Sequence, residues 1–273
     1  MELSQEKIYF QKLKRVRGDT KEYYISGENI DMEKHLVQGK QYFVNAKDIW
    51  LRDFMPVKTH DGRYVSLRYE PSYLNGYESL RTDYRRDLAK DAGIDVEYSD
   101  INLDGGNIVF SPLRKKAIIS DRVFFENPER ERESLLAELS RILAAQIIII
   151  PALGSDMTGH ADGMVRFIDE NTVIGNRTPY KAGHEQKIKK ALKKHGISVI
   201  DFPYFESKGI SAVGTYLNFL ETDGTIFLPT FGVETDDEAI DDAKKIFKKK
   251  IIPVRCEKIA EKGGCLNCIS WEK

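Results

Sequence analysis

Cysteine is scarce in this chain of 273 residues: there are three, and an odd number argues against a disulfide framework. A reducing, cytoplasmic setting is expected. Long hydrophobic runs are also missing. The longest, Ile147 to Pro151 with Ala144 and Ala145 before it, is far too short to span a bilayer. The opening residues Met1 to Glu6 have neither a basic region nor an apolar core, so no signal peptide is expected. Charge of one sign is not in excess: 42 Lys and Arg against 43 Asp and Glu leave a formal net charge of −1. That balance removes the electrostatic reason to expect nucleic acid or an anionic membrane as partner. The lysine runs at 187–190 and 248–250 fall at helical spacing or at a helix end and read as solvated faces.

What the chain does contain is a repeat. Two alternating segments around Asp61-Gly62, from Val57 to Arg68, predict a β-hairpin. A charged helix is expected over 78–92, ended by Gly93, and then a strand over 94–98. The same order recurs with a hairpin from Leu103 to Ile119, a helix starting at Asn127-Pro128 with its apolar face on Leu135, Leu136, Leu139, Ile142 and Leu143, and a strand over 146–150. It recurs again as Val165–Ile174, a helix over 185–195 ended by Gly196, and a strand over 197–200. A fourth unit turns at Asp223-Gly224, carries a helix over 236–248 and ends in a strand over 251–254. Gly263 opens a fifth unit with no room to finish. Strand-like segments near the N-terminus, over 7–11 and 22–25, could complete it.

Each unit is preceded by one polar or reactive residue: Asp53, Asp104, Asp162, Asn218 and Cys268, spaced by 51, 58, 56 and 50 residues. Near-constant spacing of units that cannot bury their own sheet faces implies stacking or closure into a ring. The fold expected is α/β: a single domain over residues 1–273, a five-bladed propeller of hairpin, helix and strand. A doubly wound open sheet is the alternative, and it offers no reason for the repeated hairpins. In a ring the five anchors converge, together with His160. The C-terminal stretch, Cys265 to Lys273, reads as a buried strand with its two thiols on opposite faces. On its own terms it is either a packed strand with inert thiols or the carrier of a nucleophile at Cys268. Cys265 and Cys268 could also form half of a zinc site or a redox pair, but no second pair of cysteines exists to complete a structural zinc.

Carboxylates around one cavity call for a cation, and a planar guanidinium takes them in bidentate pairs. A thiolate can attack its central carbon while a histidine protonates the leaving ammonia. The motifs here are Trp50-Leu-Arg-Asp53 with Pro56; Leu103-Asp-Gly-Gly-Asn107; Gly159-His-Ala-Asp162 with Arg166-Phe167; Tyr216-Leu-Asn-Phe219 with Pro229-Thr-Phe-Gly232; and Gly263-Gly264 with Cys268. Together they resemble the agmatine deiminase and bacterial-type peptidylarginine deiminase family, within the guanidino-group-modifying superfamily. The resemblance runs in order from about Asp48 to the C-terminus and itself implies a five-bladed propeller. It implies Cys268 as nucleophile, His160 as general acid and base, Asp53 and Asp162 as guanidinium clamps, and Asp104 as the residue orienting the histidine. Trp50 would line the substrate channel, with Asn107 and Asn218 as supporting substrate contacts. No metal or other cofactor is implied, and the partner expected is a small guanidino compound, agmatine first. Arginine, peptidyl-arginine or methylated arginine, an amidinotransferase using the same site, and a non-catalytic binding propeller stay open, as does a homodimer. The chain departs from the family pattern at Asn267, where histidine is usual, and at Met55, where glycine is usual. No family motif falls before Asp48.

Overall fold

The structure is a computed structural model describing residues 11–16, 23–25, 36–44, 46–88, 93–177, 182–207 and 211–273. The strand expected over 7–11 and the end of the helix expected over 78–92 lie largely outside the described residues. Among those described there are five small sheets, four of three strands and one of four.

Four of the sheets share one construction. A hairpin is followed by a crossover to a third strand that pairs in parallel with the second. The first sheet joins β4 (Val57–Lys58), β5 (Tyr64–Arg68) and β6 (Glu97–Asn102). The second joins β7 (Ile108–Phe110), β8 (Lys116–Ser120) and β9 (Gln146–Ile150). The third joins β10 (Val165–Phe167), β11 (Thr172–Asn176) and β12 (Ser198–Phe202). The fourth joins β13 (Leu220–Glu221), β14 (Thr225–Thr230) and β15 (Lys250–Arg255).

The fifth sheet is antiparallel throughout. The C-terminal strand β16 (Ser270–Glu272) pairs with β2 (Tyr23–Ile25), and β1 (Gln11–Val16) pairs with both β2 and β3 (Leu36–Val44). The N-terminal segment therefore supplies the strands that the last unit lacks, as the repeat requires. Pairing also ties down a C-terminal tail, which would otherwise fray. Trp271 reinforces it, buried in the core beside Leu51 and Phe54, with its indole N–H donating to Pro56 O at 2.9 Å.

The crossover helices form where apolar periodicity meets a cap. The helix Arg132–Leu143 starts at Glu131, whose carboxylate accepts from Ser134 N at 2.7 Å, and ends at Ala144 in the left-handed region. Its buried face, Leu135, Leu139, Ile142 and Leu143, packs with Val65, Ile101 and Ile119 from two sheets. It begins later than Asn127-Pro128 suggests. Asn127 instead ties down strand β6, accepting from Asn102 N and donating to Asn102 O. The helices Ala182–Lys193 and Asp236–Ile246 serve the third and fourth units.

The first unit departs most from expectation. In place of a continuous helix over 78–92 there is a 3-10 turn at Glu78–Leu80 and a single π-helical turn at Tyr84–Leu88. Tyr84 and Leu88 are buried with Leu74 and Tyr69, so tertiary packing has overridden the charged helical pattern. The next strand is displaced to Glu97–Asn102. The C-terminal stretch is also corrected. Cys265 to Ile269 is a turn, closed by Ile269 N donating to Cys265 O and Ser270 N to Asn267 O, and the strand starts only at Ser270.

This construction places the site. Each anchor residue sits in a short turn just before the first strand of its sheet. Asp53 lies in the short helix α1 (Leu51–Phe54), Asp104 and His160 precede the 3-10 turns Gly105–Asn107 and Ala161–Gly163, and Cys268 precedes β16.

Candidate active site

The anchors converge. A cavity of about 560 Å³ is lined by Asp53, His160, Asp162, Asn218 and Cys268, with Trp50, Tyr69 and Tyr73 in its wall. Two glycines let the walls close up. A Cβ on Gly106 would come within 2.5 Å of His160 Nδ1 and 2.6 Å of Asp53 Oδ1, and one on Gly264 within 2.5 Å of the Trp50 ring. No larger residue fits either place, because the backbone itself is the contact surface.

His160 is the charged centre of one half. Its Nε2 is 2.7 Å from Asp104 Oδ2, and its Nδ1 is 3.7 Å from Asp53 Oδ1. Tyr73 donates its hydroxyl to the same Asp104 oxygen at 2.7 Å and meets the imidazole edge-on. Burial alone would strip the proton from His160. The carboxylate of Asp53 and the hydrogen bond and charge of Asp104 outweigh it and push its pKa up to about 10. Burial pushes Asp53 up to about 8, against the pull of His160, with Asp104 and Asp162 adding to the rise. Its Oδ1 accepts from Gly106 N at 3.2 Å.

The other half is built on amides. Asn267 donates to Asp162 Oδ2 at 2.6 Å, and Asn218 donates to the same oxygen at 3.4 Å. Asn218 Oδ1 accepts from both Cys265 N and Cys268 N, while its Nδ2 lies 3.1 Å from Cys268 Sγ. One side chain thereby fixes the turn and faces the thiol. Burial raises the Asp162 carboxyl, opposed by His160, Asn267, Arg166 and Arg52 in turn. Burial, then the charges of Asp162 and Asp53, hold the Cys268 thiol well above its ordinary range. Cys265 is fully buried in the core and does not line the cavity.

Of the residues singled out in the sequence, Asp53, His160, Asp162, Asn218, Cys268 and Trp50 all line this cavity. Asp104 stands behind His160, outside the lining. Asn107 is corrected as a substrate contact. It does not line the cavity, and its Oδ1 is engaged by Ser120 N and Ala161 N, joining two repeats. Sequence reasoning missed Tyr73 and Asn267 as partners of the two halves. It also missed Arg52 and Arg166, which line a second cavity of about 230 Å³ that has only Asp162 in common with the first. Arg52 and Arg166 sat inside the quoted motifs, so their signal was present without a role. Among the described residues no group of His, Cys, Asp and Glu could hold a metal ion. Among the described residues no helix is long and apolar enough to cross a membrane.

Repeated α/β units that bring a thiol, an imidazolium and two buried carboxylates to one cavity define an α/β protein of the cysteine–histidine–carboxylate type. Solved structures share this fold. The agmatine deiminase of C. jejuni aligns with a TM-score of 0.65 at 21% identity, over 82% of this chain and 72% of that one. The agmatine deiminase of Enterococcus faecalis aligns with a TM-score of 0.68 at 18% identity, over 82% and 74%. In sequence, a curated protein of Selenomonas ruminantium named "Putative agmatine deiminase" is 24% identical over 283 residues, 84% of this chain and 75% of that protein. A protein of the same name from Streptococcus mutans is 39% identical over 67 residues, a match that spans 18% of its length. The model of the Porphyromonas-type peptidyl-arginine deiminase family matches residues 18–273, and the chain belongs to that family.

Proposed function

We propose that the protein is a guanidine deiminase acting on agmatine, which it converts to N-carbamoylputrescine and ammonia. The observation that carries the reading is one cavity holding Cys268, the His160 cation and the carboxylates of Asp53 and Asp162. The two carboxylates clamp the guanidinium edges. Its positive charge offsets the field of Asp162 and Asp53 that keeps the thiol protonated, so on substrate binding the thiol loses its proton to solvent and becomes the thiolate. The thiolate adds to the guanidinium carbon, and the C–N bond breaks as His160 gives its proton to the departing ammonia. The cationic thiouronium is then attacked by water, one proton of which returns to His160; the C–S bond breaks to release the ureido product and the thiolate, and the remaining O–H proton leaves to solvent and is taken up by the ammonia. Over the turnover guanidinium and water become a ureido group and ammonium. Asp104 and Tyr73 orient His160, and Asn218 sets the nucleophile turn.

Agmatine is favoured over arginine by charge. Among the described residues the cavity wall carries Asp48, Asp156, Glu185 and Glu206 beyond the clamps, with Lys189 and Lys262 and no arginine. A substrate with an amine tail suits such a wall better than one with an α-carboxylate. The C. jejuni and E. faecalis structures described as agmatine deiminases, one with substrate bound, support the same reading. The reading includes a five-bladed propeller in a single domain over 1–273, which the four sheets of like construction and the fifth sheet completed by N-terminal strands support, and a reducing cytoplasm, which three free cysteines suit. The test is a colorimetric ureido-product assay on agmatine, arginine, a peptidyl-arginine and a methylated arginine, with Cys268→Ala as control. Turnover of agmatine above the other three, lost in the variant, is expected. Turnover unaffected by Cys268→Ala would remove the basis of the reading.

A further inference from the structure

Behind the wall formed by Asp162 lies the second cavity, and Arg52 projects into it. Arg52 does not line the catalytic cavity, so it cannot touch a substrate bound there. It precedes Asp53 in helix α1 and is heavily engaged with the nucleophile turn. Its backbone N–H donates to Cys268 O at 2.9 Å. Its Nε donates to Asn267 O at 3.3 Å and its Nη2 to Ser270 Oγ at 3.1 Å. Ser270 Oγ donates in turn to Asn267 O at 2.9 Å. The side chain of that same Asn267 holds Asp162. On the other side, the start of α1 is pressed against the Gly105-Gly106 turn so closely that a Cβ on Gly105 would fall 2.0 Å from Arg52 O.

We propose that Arg52 is a positioning residue for the reaction: through its backbone and its guanidinium it latches the turn bearing Cys268 to the helix bearing Asp53. The proposal rests on the deiminase reading above, because it assigns a purpose to the spacing of thiol and clamp. Three contacts reach three successive parts of one turn, at Asn267, Cys268 and Ser270. A mere space-filling residue has no need of that pattern. The backbone contact to Cys268 O would survive any substitution, but the two side-chain contacts, to Asn267 O and Ser270 Oγ, need a planar fork of fixed donors, which a lysine's single ammonium is not. The location is also costly for a cation. Burial lowers the pKa of Arg52, with the neighbouring Arg166 adding repulsion. A neutral side chain would be the simpler occupant if packing were all that mattered. The latch matters because thiol and clamp come from opposite ends of the chain, and a shift of ~1 Å between reacting groups can cost about 10²-fold in rate.

The experiment compares Arg52→Gln, Arg52→Lys and Ser270→Ala with the wild type. It reads kcat and KM for the guanidine that the wild type turns over, the limiting rate of Cys268 alkylation by chloroacetamidine, and the acid limb of kcat/KM. Arg52→Gln is expected to lower kcat by about 10²-fold and the limiting alkylation rate in parallel, with KM changed far less. Its acid limb should move to higher pH, because a cation that holds Asp162 ionised is gone. Arg52→Lys keeps the charge and loses the fork. It should restore the acid limb and leave kcat depressed. Full rescue of kcat by lysine, or a folded Arg52→Gln with wild-type kcat and alkylation rate, overturns the proposal. If Arg52→Gln does not fold, Ser270→Ala decides: it removes one contact of the latch, and an undiminished kcat there overturns the proposal as well. A wild type that deiminates no guanidine sinks the functional reading instead, and the alkylation rates still report on the latch.

Discussion

Asp53 and Asp162 occupy equivalent places in two repeats and are both nearly inaccessible, yet they are handled differently. Asp53 faces a histidine that it helps to keep cationic, and it accepts a single backbone N–H. Asp162 faces two side-chain amides, with Arg166 and Arg52 behind it. Burial raises the pKa of both. On the Asp53 side the compensation comes from a group that can lose its proton. On the Asp162 side His160 contributes as well, and neutral amide donors and two permanent cations add to it. The difference backs one clamp with fixed donors and cations and makes the other part of a proton-handling cluster with His160 and Asp104. A repeated backbone unit has been given two electrostatic settings by the residues that neighbouring repeats press against it.

The sharpest way to break the comparison is to neutralise each clamp in turn. Asp162→Asn should have the larger effect, because it removes a guanidinium partner and also one of the negative charges that offset the burial of Arg52 and Arg166. Loss of one partner from a buried, charge-paired site costs about 2–5 kcal/mol, so kcat/KM should fall by about 30- to 5,000-fold, toward the upper part of that range. Circular dichroism should report a folded protein, and the alkaline limb of the pH profile should move little. Asp53→Asn should cost about 30- to 10²-fold, toward the lower end of the same range, with a distinct signature in pH. His160 must carry its proton to act as acid, and Asp53 is the charge that does most to raise its pKa. Without that charge the proton is lost at lower pH, so the alkaline limb of kcat should move down. Equal pH profiles for the two variants would show that the two clamps are not differentiated as argued.

Much of this arrangement was legible in the sequence, and the parts that were not share a cause. The four hairpins are written in local alternation and turn residues such as Asp61-Gly62 and Asp223-Gly224, and they formed where expected. The spacing of the anchors marked Asp53, Asp162, Asn218 and Cys268 before any contact was known. The stretch 78–92 misled because its charges fall at helical spacing, while Tyr84 and Leu88 are held by Tyr69 and Leu74 from an earlier segment. Cys268 proved to lie in a turn because Asn218, fifty residues away, draws the N–H groups of Cys265 and Cys268 onto one oxygen. Asn107 carries the type of side chain a substrate would need, but its oxygen accepts two backbone N–H groups, from the end of strand β8 and from the Ala161–Gly163 turn. Tyr73, Asn267, Arg52 and Arg166 act through contacts that cross repeats, and no local pattern announces such contacts.

Two finer variants probe the histidine side without touching either clamp. Asp104→Asn keeps the size of the side chain and removes the charge at 2.7 Å from His160 Nε2. Hydrogen bonds to charged groups are worth about 1.5–3 kcal/mol, so kcat should fall by about 10- to 10²-fold. KM should change less, since Asp104 does not line the cavity, and the alkaline limb should again move down. The smallest effect is expected from Tyr73→Phe. Tyr73 donates to the same Asp104 oxygen that faces the imidazole, at 2.7 Å, and its ring meets the histidine edge-on at 6.2 Å between centroids. Removing the hydroxyl leaves the ring and its packing in place, so the fold and the cavity wall should survive. What changes is the carboxylate. With one donor fewer, Asp104 is less stabilised as an anion and rotates more freely, which loosens the orientation of His160. A single hydrogen bond of about 0.5–1.5 kcal/mol corresponds to a loss of about 2- to 10-fold, seen in kcat. In the Asp104→Asn background the tyrosine has no anion to serve, so adding Tyr73→Phe there should cost almost nothing. A double variant whose losses simply multiply would show that Tyr73 acts on the substrate directly, through its place in the cavity wall, and not through Asp104.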